Sequence, residues 1–400
     1  MSAKLADRLS VVVPSATLAI NARAQELRAK GVDIISFGAG EPDFDTPSNI
    51  RDAGIAAIEA GKTRYTAVSG IADLRAAIAE RSTRERGVAA TAANVVVTVG
   101  AKGALFNLAL ALFEPGDEVI IPAPYWVSYP EQVRLVGATP VFIPSTLERG
   151  WKLDPADLAR ALSPKTKAVV LCSPSNPTGA AYTPAELEAI AAVLRTHDCW
   201  IVLDEIYASL VYDGFDQRSL VTVAPDLAPR VVIIDGVSKT FAMTGWRVGW
   251  SIAPIPLSKA MDMVQSQGAT STATPAQWAA LEALRSPALE FEQMRSLFQL
   301  RRDRLVEGLR AIPGVRCGVP EGAFYAFCDI TEWIGRRTPE GTVLTDDGVV
   351  AAWLLDQAHV AVVPGTAFGA PGHMRLSYAV SVENIDKALA RIGDAVAMLE

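Results

Sequence analysis

Apolar residues in this chain gather into short unbroken runs bounded by turn formers, and few segments alternate apolar with polar positions. Residues 95–99 (Val-Val-Val-Thr-Val), 119–122, 167–172, 200–203, 231–235 and 247–252 are such runs. A short apolar run flanked by Gly, Pro or Asn reads as a strand buried on both faces. Stretches of helical spacing lie between them. One covers 104–113, after Gly100-Ala101-Lys102-Gly103, and ends at Glu114-Pro115-Gly116-Asp117. Another opens at Thr183-Pro184 and runs to about residue 195. Thr before Pro is a helix start, because the hydroxyl accepts a terminal N–H and Pro has none to leave unpaired. Strands alternating with helices predict an α/β fold with a mostly parallel sheet covered on both faces. In such sheets ligands gather beyond the carboxyl ends of the strands.

The two ends of the chain carry another pattern. Residues 16–30 predict an amphipathic helix stopped by Gly31, and 301–311 predict a second. Residues 322–327 and 360–363 predict strands, and a helix begins near residue 382. We expect 1–50 and 291–400 to form a smaller α+β domain around a large domain at 51–290. Periodicity alone does not supply that pairing. There is no internal repeat and no low-complexity linker.

At 400 residues the chain is too long for one small core. Its formal net charge of −7 argues against a nucleic-acid partner, which needs a basic face. Cys172, Cys199, Cys317 and Cys328 form no CxxC pair, and His197, His359 and His373 form no HxxxH pattern. No metal centre is therefore expected. The first residues lack a signal-peptide core, and no apolar run approaches bilayer length. These features predict a cytoplasmic enzyme with no membrane segment.

Candidate chemistry lies in the turns after the strands. Lys239, in Ser238-Lys239-Thr240, follows the run 231–235, and Arg247 comes eight residues later in Gly-Trp-Arg-Val-Gly. A Schiff-base lysine must be held partly neutral, and a nearby cation lowers its pKa. Arginine grips a phosphate through its planar fork. An aldehyde-capturing amine with a phosphate clamp is the minimum equipment for pyridoxal 5'-phosphate (PLP). Gly100-Ala101-Lys102-Gly103 offers backbone N–H groups and a helix start to a phosphate. Asp204, ending the run 200–203, suits a pyridinium nitrogen, and Tyr207 or Asn176 suits a ring oxygen. Trp126 suits a flat ring, and Arg375, in an apolar neighbourhood, suits a carboxylate. Taken singly, each residue also fits a plain turn, a core aromatic or a structural ion pair.

Taken in order, the motifs resemble the PLP-dependent aminotransferases of fold type I, class I, and most closely the bacterial aspartate aminotransferase subgroup Ib. The resemblance rests on Pro14-Ser15-Ala16-Thr17, Gly38-Ala39-Gly40-Glu41-Pro42-Asp43-Phe44, Lys62-Thr63-Arg64-Tyr65, Pro124-Tyr125-Trp126-Val127-Ser128-Tyr129-Pro130 and Ser175-Asn176-Pro177-Thr178-Gly179. Asp204-Glu205-Ile206-Tyr207, the Lys239 segment, Gly322-Ala323-Phe324-Tyr325 and Pro364-Gly365-Thr366 leading to Arg375 complete it. It implies a seven-stranded, mostly parallel sheet. It implies Lys239 as PLP lysine and proton shuttle, Asp204 at the ring nitrogen, and Tyr207 and Asn176 at the ring oxygen. Gly100, Ala101, Lys102, Ser238 and Arg247 would hold the phosphate. Tyr65 would reach the phosphate of a neighbouring subunit, which implies a homodimer. Trp126 would cover the ring. Arg375, Gly40, Asn176 and Trp126 would receive the substrate α-carboxylate, with Lys102 and Thr17 at the distal carboxylate.

The activity implied is ping-pong transfer of the amino group of L-aspartate to 2-oxoglutarate. The alternatives are a broader preference (aromatic amino acids, alanine or prephenate) or a PLP-dependent C–S lyase. A non-enzymatic regulator would need a DNA-binding domain, for which there is neither length nor basic charge. Three departures stand out. Gly236 replaces a phosphate-binding serine of many relatives. Tyr129 takes the place of a histidine found behind the aspartate in some branches. Residues 265–275 lack the arginine that other branches send to the distal carboxylate. Val13 stands where prephenate users carry a lysine, which counts weakly against that substrate.

Overall fold

The structure is a computed structural model that describes residues 5–13, 16–286 and 289–400. Its centre is a seven-stranded sheet: β1 (Val95–Val99), β2 (Glu118–Ala123), β3 (Thr139–Pro144), β4 (Thr166–Cys172), β5 (Trp200–Asp204), β6 (Val231–Gly236) and β7 (Val248–Ile252). The spatial order is β1-β7-β6-β5-β4-β2-β3. All neighbours are parallel except β7, which runs antiparallel to both β1 and β6. Alternate residues enter separate apolar clusters on the two faces. Val169, Ile201 and Ile233 join one, while Val170, Val202 and Val232 join the other. Each such buried side chain stabilises the fold by about 1.5–3 kcal/mol. This two-sided burial is why the strands read as unbroken apolar runs.

The structure departs from the sequence-based elements in instructive places. The edge strand β3 was not expected, since Pro140 and Pro144 argue against a central strand. At an edge their missing N–H groups cost no ladder bond. Arg247 was expected inside a strand but stands just before β7 with φ +57°. The helix expected from residue 104 begins at Gly100 (Gly100–Leu112), so Gly100 to Lys102 form its first turn. The helix Pro184–Leu194 starts as expected, with the Thr183 hydroxyl accepting from the Glu186 N–H and the Glu186 carboxylate accepting from the Thr183 N–H.

A second core draws on both ends of the chain. Ile35 and Phe37 pack with Phe298, Phe324, Tyr325 and Ile385. Strand Ile35–Ser36 pairs in parallel with Val360–Ala361, and the Ser377 N–H donates to Phe37 O at 2.9 Å. β8 (Tyr325–Asp329) and β9 (His373–Ser377) are antiparallel, with Phe327 opposite Arg375. Asp43 and Arg301 form a two-pronged ion pair at 2.7 and 3.0 Å, tying the segment after Gly40 to the helix Leu289–Ala311. These contacts carry residues 38–41 to the carboxyl ends of β5 and β6. No helix among the described residues is long and apolar enough to cross a membrane.

Candidate active site

A cavity of about 380 Å³ opens where the carboxyl ends of β4, β5 and β6 meet residues 40–41 and β9. One end is an anion cradle. The helix Gly100–Leu112 starts there; its Gly100 N–H is taken by Arg247 O at 3.1 Å, which leaves the following N–H groups of the first turn and the helix dipole to favour a negative charge. Gly100 has φ +71°, and a Cβ on it would lie 2.7 Å from Arg247 Nη2. A Cβ on Gly249 would overlap the backbone of Gly100 and Ala101. Bare backbone on both sides is thus what lets the helix start and the guanidinium approach. Arg247 Nη1 donates to Thr244 O at 2.8 Å, which aims the guanidinium. Ala101, Lys102 and Ser238 also line the cavity. Burial, with Arg247 nearby, lowers the Lys102 ammonium below its usual range, and its Nζ lies 5.0 Å from the Trp126 ring centre.

The structure also explains Gly236. A Cβ there would sit 2.9 Å from Val248 O and 3.0 Å from Gly249 Cα. β6 and β7 approach too closely for a side chain at this position, and Ser238 and Lys102 line the cavity nearby.

Lys239 occupies the turn after β6 and donates through Nζ to Gly40 O. Burial pushes its ammonium down to about 8. Glu41 opposes this, while Arg247 and Arg375 add to it. Near neutral pH this amine is therefore far easier to deprotonate than a surface lysine. Glu41 also lines the cavity and accepts from the Thr244 hydroxyl at 2.7 Å. It was missed as a site residue. Its place in Gly38-Ala39-Gly40-Glu41-Pro42 was the available signal.

Asp204 closes β5 at the cavity floor. Tyr129 Oη donates to its Oδ2 at 2.6 Å, and the Ile206 N–H donates to Oδ1 at 3.3 Å. Burial raises its pKa to about 6, although both hydrogen bonds favour the charged form. Such a carboxylate gains most from a cationic or N–H partner in the cavity. Tyr207 lies beside it, its Oη 2.8 Å from Tyr325 Oη. Trp126 lines the wall with its ring edge-on to Tyr129.

Arg375 closes the far side from β9 and is only 2% exposed. It donates at 3.0 Å to Asn176 Oδ1 and at 3.0 Å to Gly38 O. Both acceptors are uncharged, and its buried Nε has no partner. A buried guanidinium without a counter-charge is costly, so this one is built to receive an anion. The rings of Tyr325 and Phe368 flank it at 4.6 and 5.0 Å.

One cavity thus brings together Gly40, Ala101, Lys102, Trp126, Asn176 and Asp204 with Tyr207, Ser238, Lys239, Arg247 and Arg375. Gly100 stands behind it against Arg247. Tyr65 does not join them. It is 88% exposed after the helix Ser48–Glu59 and lies outside the cavity of its own chain. The Thr17 side chain, and Pro14 and Ser15, lie outside the described residues. The Val13 N–H donates to Glu131 at 2.8 Å, and its side chain is exposed. Among the described residues no group of three or more His, Cys, Asp or Glu could hold a metal ion.

Comparison with known proteins fits this geometry. The chain is 48% identical over 389 residues to an aspartate/prephenate aminotransferase of Cereibacter sphaeroides, covering 97% of each. It is 45% identical to an aspartate aminotransferase of Geobacillus stearothermophilus, covering 97% of this chain and 98% of that one. Among solved structures, the aspartate aminotransferase of Rhizobium meliloti superposes with a TM-score of 0.97 at 42% identity over the whole of both chains. That of Thermus thermophilus, solved with maleate, gives 0.92 at 46% identity, covering 98% of this chain and all of that one. The profile of the family "Aminotransferase class I and II" matches residues 32–392. The cavity therefore sits in a chain that belongs to the class I and II aminotransferases.

Proposed function

We propose that this enzyme moves the amino group of L-aspartate to 2-oxoglutarate with PLP as its cofactor. The observation that carries the reading is one cavity with an anion cradle at one end, a lysine of lowered pKa in the middle and an uncompensated buried guanidinium at the other. The residues fit PLP. Gly100 and Arg247 form a cradle that a single Cβ would fill, Asp204 lacks a cationic partner, and Trp126 offers a ring face. When bound, PLP supplies an aldehyde for the lysine amine and an electron-accepting ring.

The chain's own residues divide the remaining work. Gly100, Ala101, Ser238 and Arg247 hold the phosphate. Asp204, aligned by Tyr129, stabilises positive charge at the ring nitrogen, and Tyr207 and Asn176 meet the ring oxygen. Arg375 grips the substrate α-carboxylate with two parallel hydrogen bonds beside Asn176 and the Gly40 backbone. That grip turns the Cα–H bond toward Lys239 Nζ, which takes the α-proton and later returns it. A cytoplasmic homodimer, with Tyr65 serving the partner's phosphate, completes the proposal. The exposure of Tyr65 in the single chain supports it.

The aspartate preference rests on Lys102. It is a second cation in the cavity, beside Trp126 and apart from Arg375. Lys102→Ala is expected to raise KM for aspartate and glutamate by about tenfold or more, the worth of one charge-assisted hydrogen bond. KM for alanine is expected to change little. Equal losses for all three donors would assign Lys102 to the phosphate alone.

The reaction itself is tested with aspartate and no acceptor. The holoenzyme is expected to release no more oxaloacetate than it has active sites, and to resume only when 2-oxoglutarate is added. Continuous release of ammonia or pyruvate without an acceptor would instead make it a lyase. A panel of amino donors including phenylalanine, and of 2-oxo acid acceptors including prephenate, then ranks the substrates.

A further inference from the structure

Behind the cavity lies a buried ion cluster that the chemistry above does not use. Arg86 is the last residue of the helix Ala72–Arg86, where the helix dipole favours a cation, and Gly87 stops the helix at φ +64°. Its Nη1 pairs with Glu205 Oε2 at 3.0 Å and its Nη2 with Asp235 Oδ2 at 2.6 Å. The three side chains are 17%, 5% and 8% exposed, respectively. Two carboxylates at the ends of adjacent parallel strands therefore share one guanidinium.

The two carboxylates are placed by the residues that carry the site. Glu205 directly follows Asp204 at the end of β5. Asp235 lies in β6, four residues before Lys239. The backbone extends the tie: the Glu205 N–H donates to Ile234 O at 2.9 Å, and Asp235 Oδ1 accepts from the Gly236 N–H at 2.7 Å. Glu85, beside Arg86 on the helix and itself paired with Arg81 at 2.6 Å and Arg84 at 3.1 Å, and Asp204 on β5 are further charged groups near the cluster. Among the described residues, Arg86 is the cation that pairs with Glu205 and Asp235.

We propose that Arg86 is a positioning residue for amino transfer. By clipping Glu205 to Asp235 it fixes the ends of β5 and β6, and with them the spacing of Asp204 and Lys239. The inference rests on the roles given above to those two residues. It predicts a defect in the chemical step and not in substrate capture, because Arg375 and Lys102 sit on other elements.

The test compares the wild-type holoenzyme with R86M and R86M/E205Q, measuring kcat and KM for aspartate across pH. R86M is expected to lose about ten- to a hundredfold in kcat, the scale of small misplacements of reacting groups, with KM nearly unchanged. The loss is expected to shrink as pH falls, because a proton on Glu205, whose carboxyl burial holds above its usual range, relieves the repulsion between the two strand ends. E205Q in the R86M background is expected to recover part of kcat. Wild-type kcat in R86M at every pH overturns the proposal. So does a loss that is equal at every pH and unrelieved by E205Q, since that is a general folding defect. If R86M does not fold, R86K serves in its place. It keeps the charge without the fork, so a kcat loss relieved by E205Q is expected and wild-type kcat is contradictory. A wild-type enzyme without amino transfer would sink the functional reading instead, whatever the Arg86 variants do.

Discussion

Lys239→Ala is expected to lower aspartate turnover by about 10⁴-fold or more, since one side chain supplies both the amine that captures the cofactor and the base that moves the proton. The variant is expected to fold. Among the described residues the Lys239 side chain makes one hydrogen bond, to Gly40 O, and it sits in a turn beside an open cavity. Its removal takes away an ammonium whose burial is unfavourable, as its lowered pKa indicates. Circular dichroism and thermal melting close to wild type, with turnover lost, is the outcome that isolates the amine. Multiple turnovers at more than a small fraction of the wild-type rate would transfer the proton-moving role to another group.

Arg375→Lys is expected to reduce kcat/KM for every amino donor by about 10²-fold or more. A lysine retains the charge but cannot form two parallel bonds to a carboxylate. Here the loss has a second source. Arg375 also donates to Asn176 Oδ1 and Gly38 O, and a lysine reaches fewer of these partners at once. Asn176 would then lose the contact that orients it in the cavity. The defect should be uniform across donors, because all share an α-carboxylate. This separates it from Lys102→Ala, whose effect should follow the distal charge. A steady-state panel of aspartate, alanine and phenylalanine decides between them. A loss confined to aspartate in Arg375→Lys would reverse the two assignments.

Much of the architecture could be read from the chain because the central strands are buried on both faces and so appear as apolar runs. Val169, Val170, Ile201, Val202, Val232 and Ile233 are examples. The edge strand β3 escaped notice because one side of it meets solvent and it tolerates Pro140 and Pro144. Arg247 was placed in a strand because its neighbours are apolar, yet its left-handed backbone is what presents the guanidinium to Gly100. The cavity's residues could be proposed because most follow directly on a strand end, where parallel sheets gather ligands. Of the pairs among them, Tyr129 behind Asp204 was implied by the resemblance alone. Nothing in the spacing of Tyr129 and Asp204, or of Asn176 and Arg375, announces a hydrogen bond across 75 or 199 residues. Arg86, Glu205 and Asp235 meet only because β5 and β6 are neighbours and one helix ends above them. Gly236 shows the converse. Its missing hydroxyl looked like a lost contact until the approach of β6 to β7 showed that no side chain fits there.

The most direct measurement traps the lysine itself. Ligand-free protein is mixed with PLP, reduced with borohydride and digested, and the modified peptide is identified by mass spectrometry. The account predicts a pyridoxyl group on Lys239, formed at a rate that climbs with pH and levels off above about 8, where the buried ammonium has lost its proton. Label scattered over surface lysines, or a rate still climbing beyond the range of an ordinary lysine near about 10.4, would contradict it.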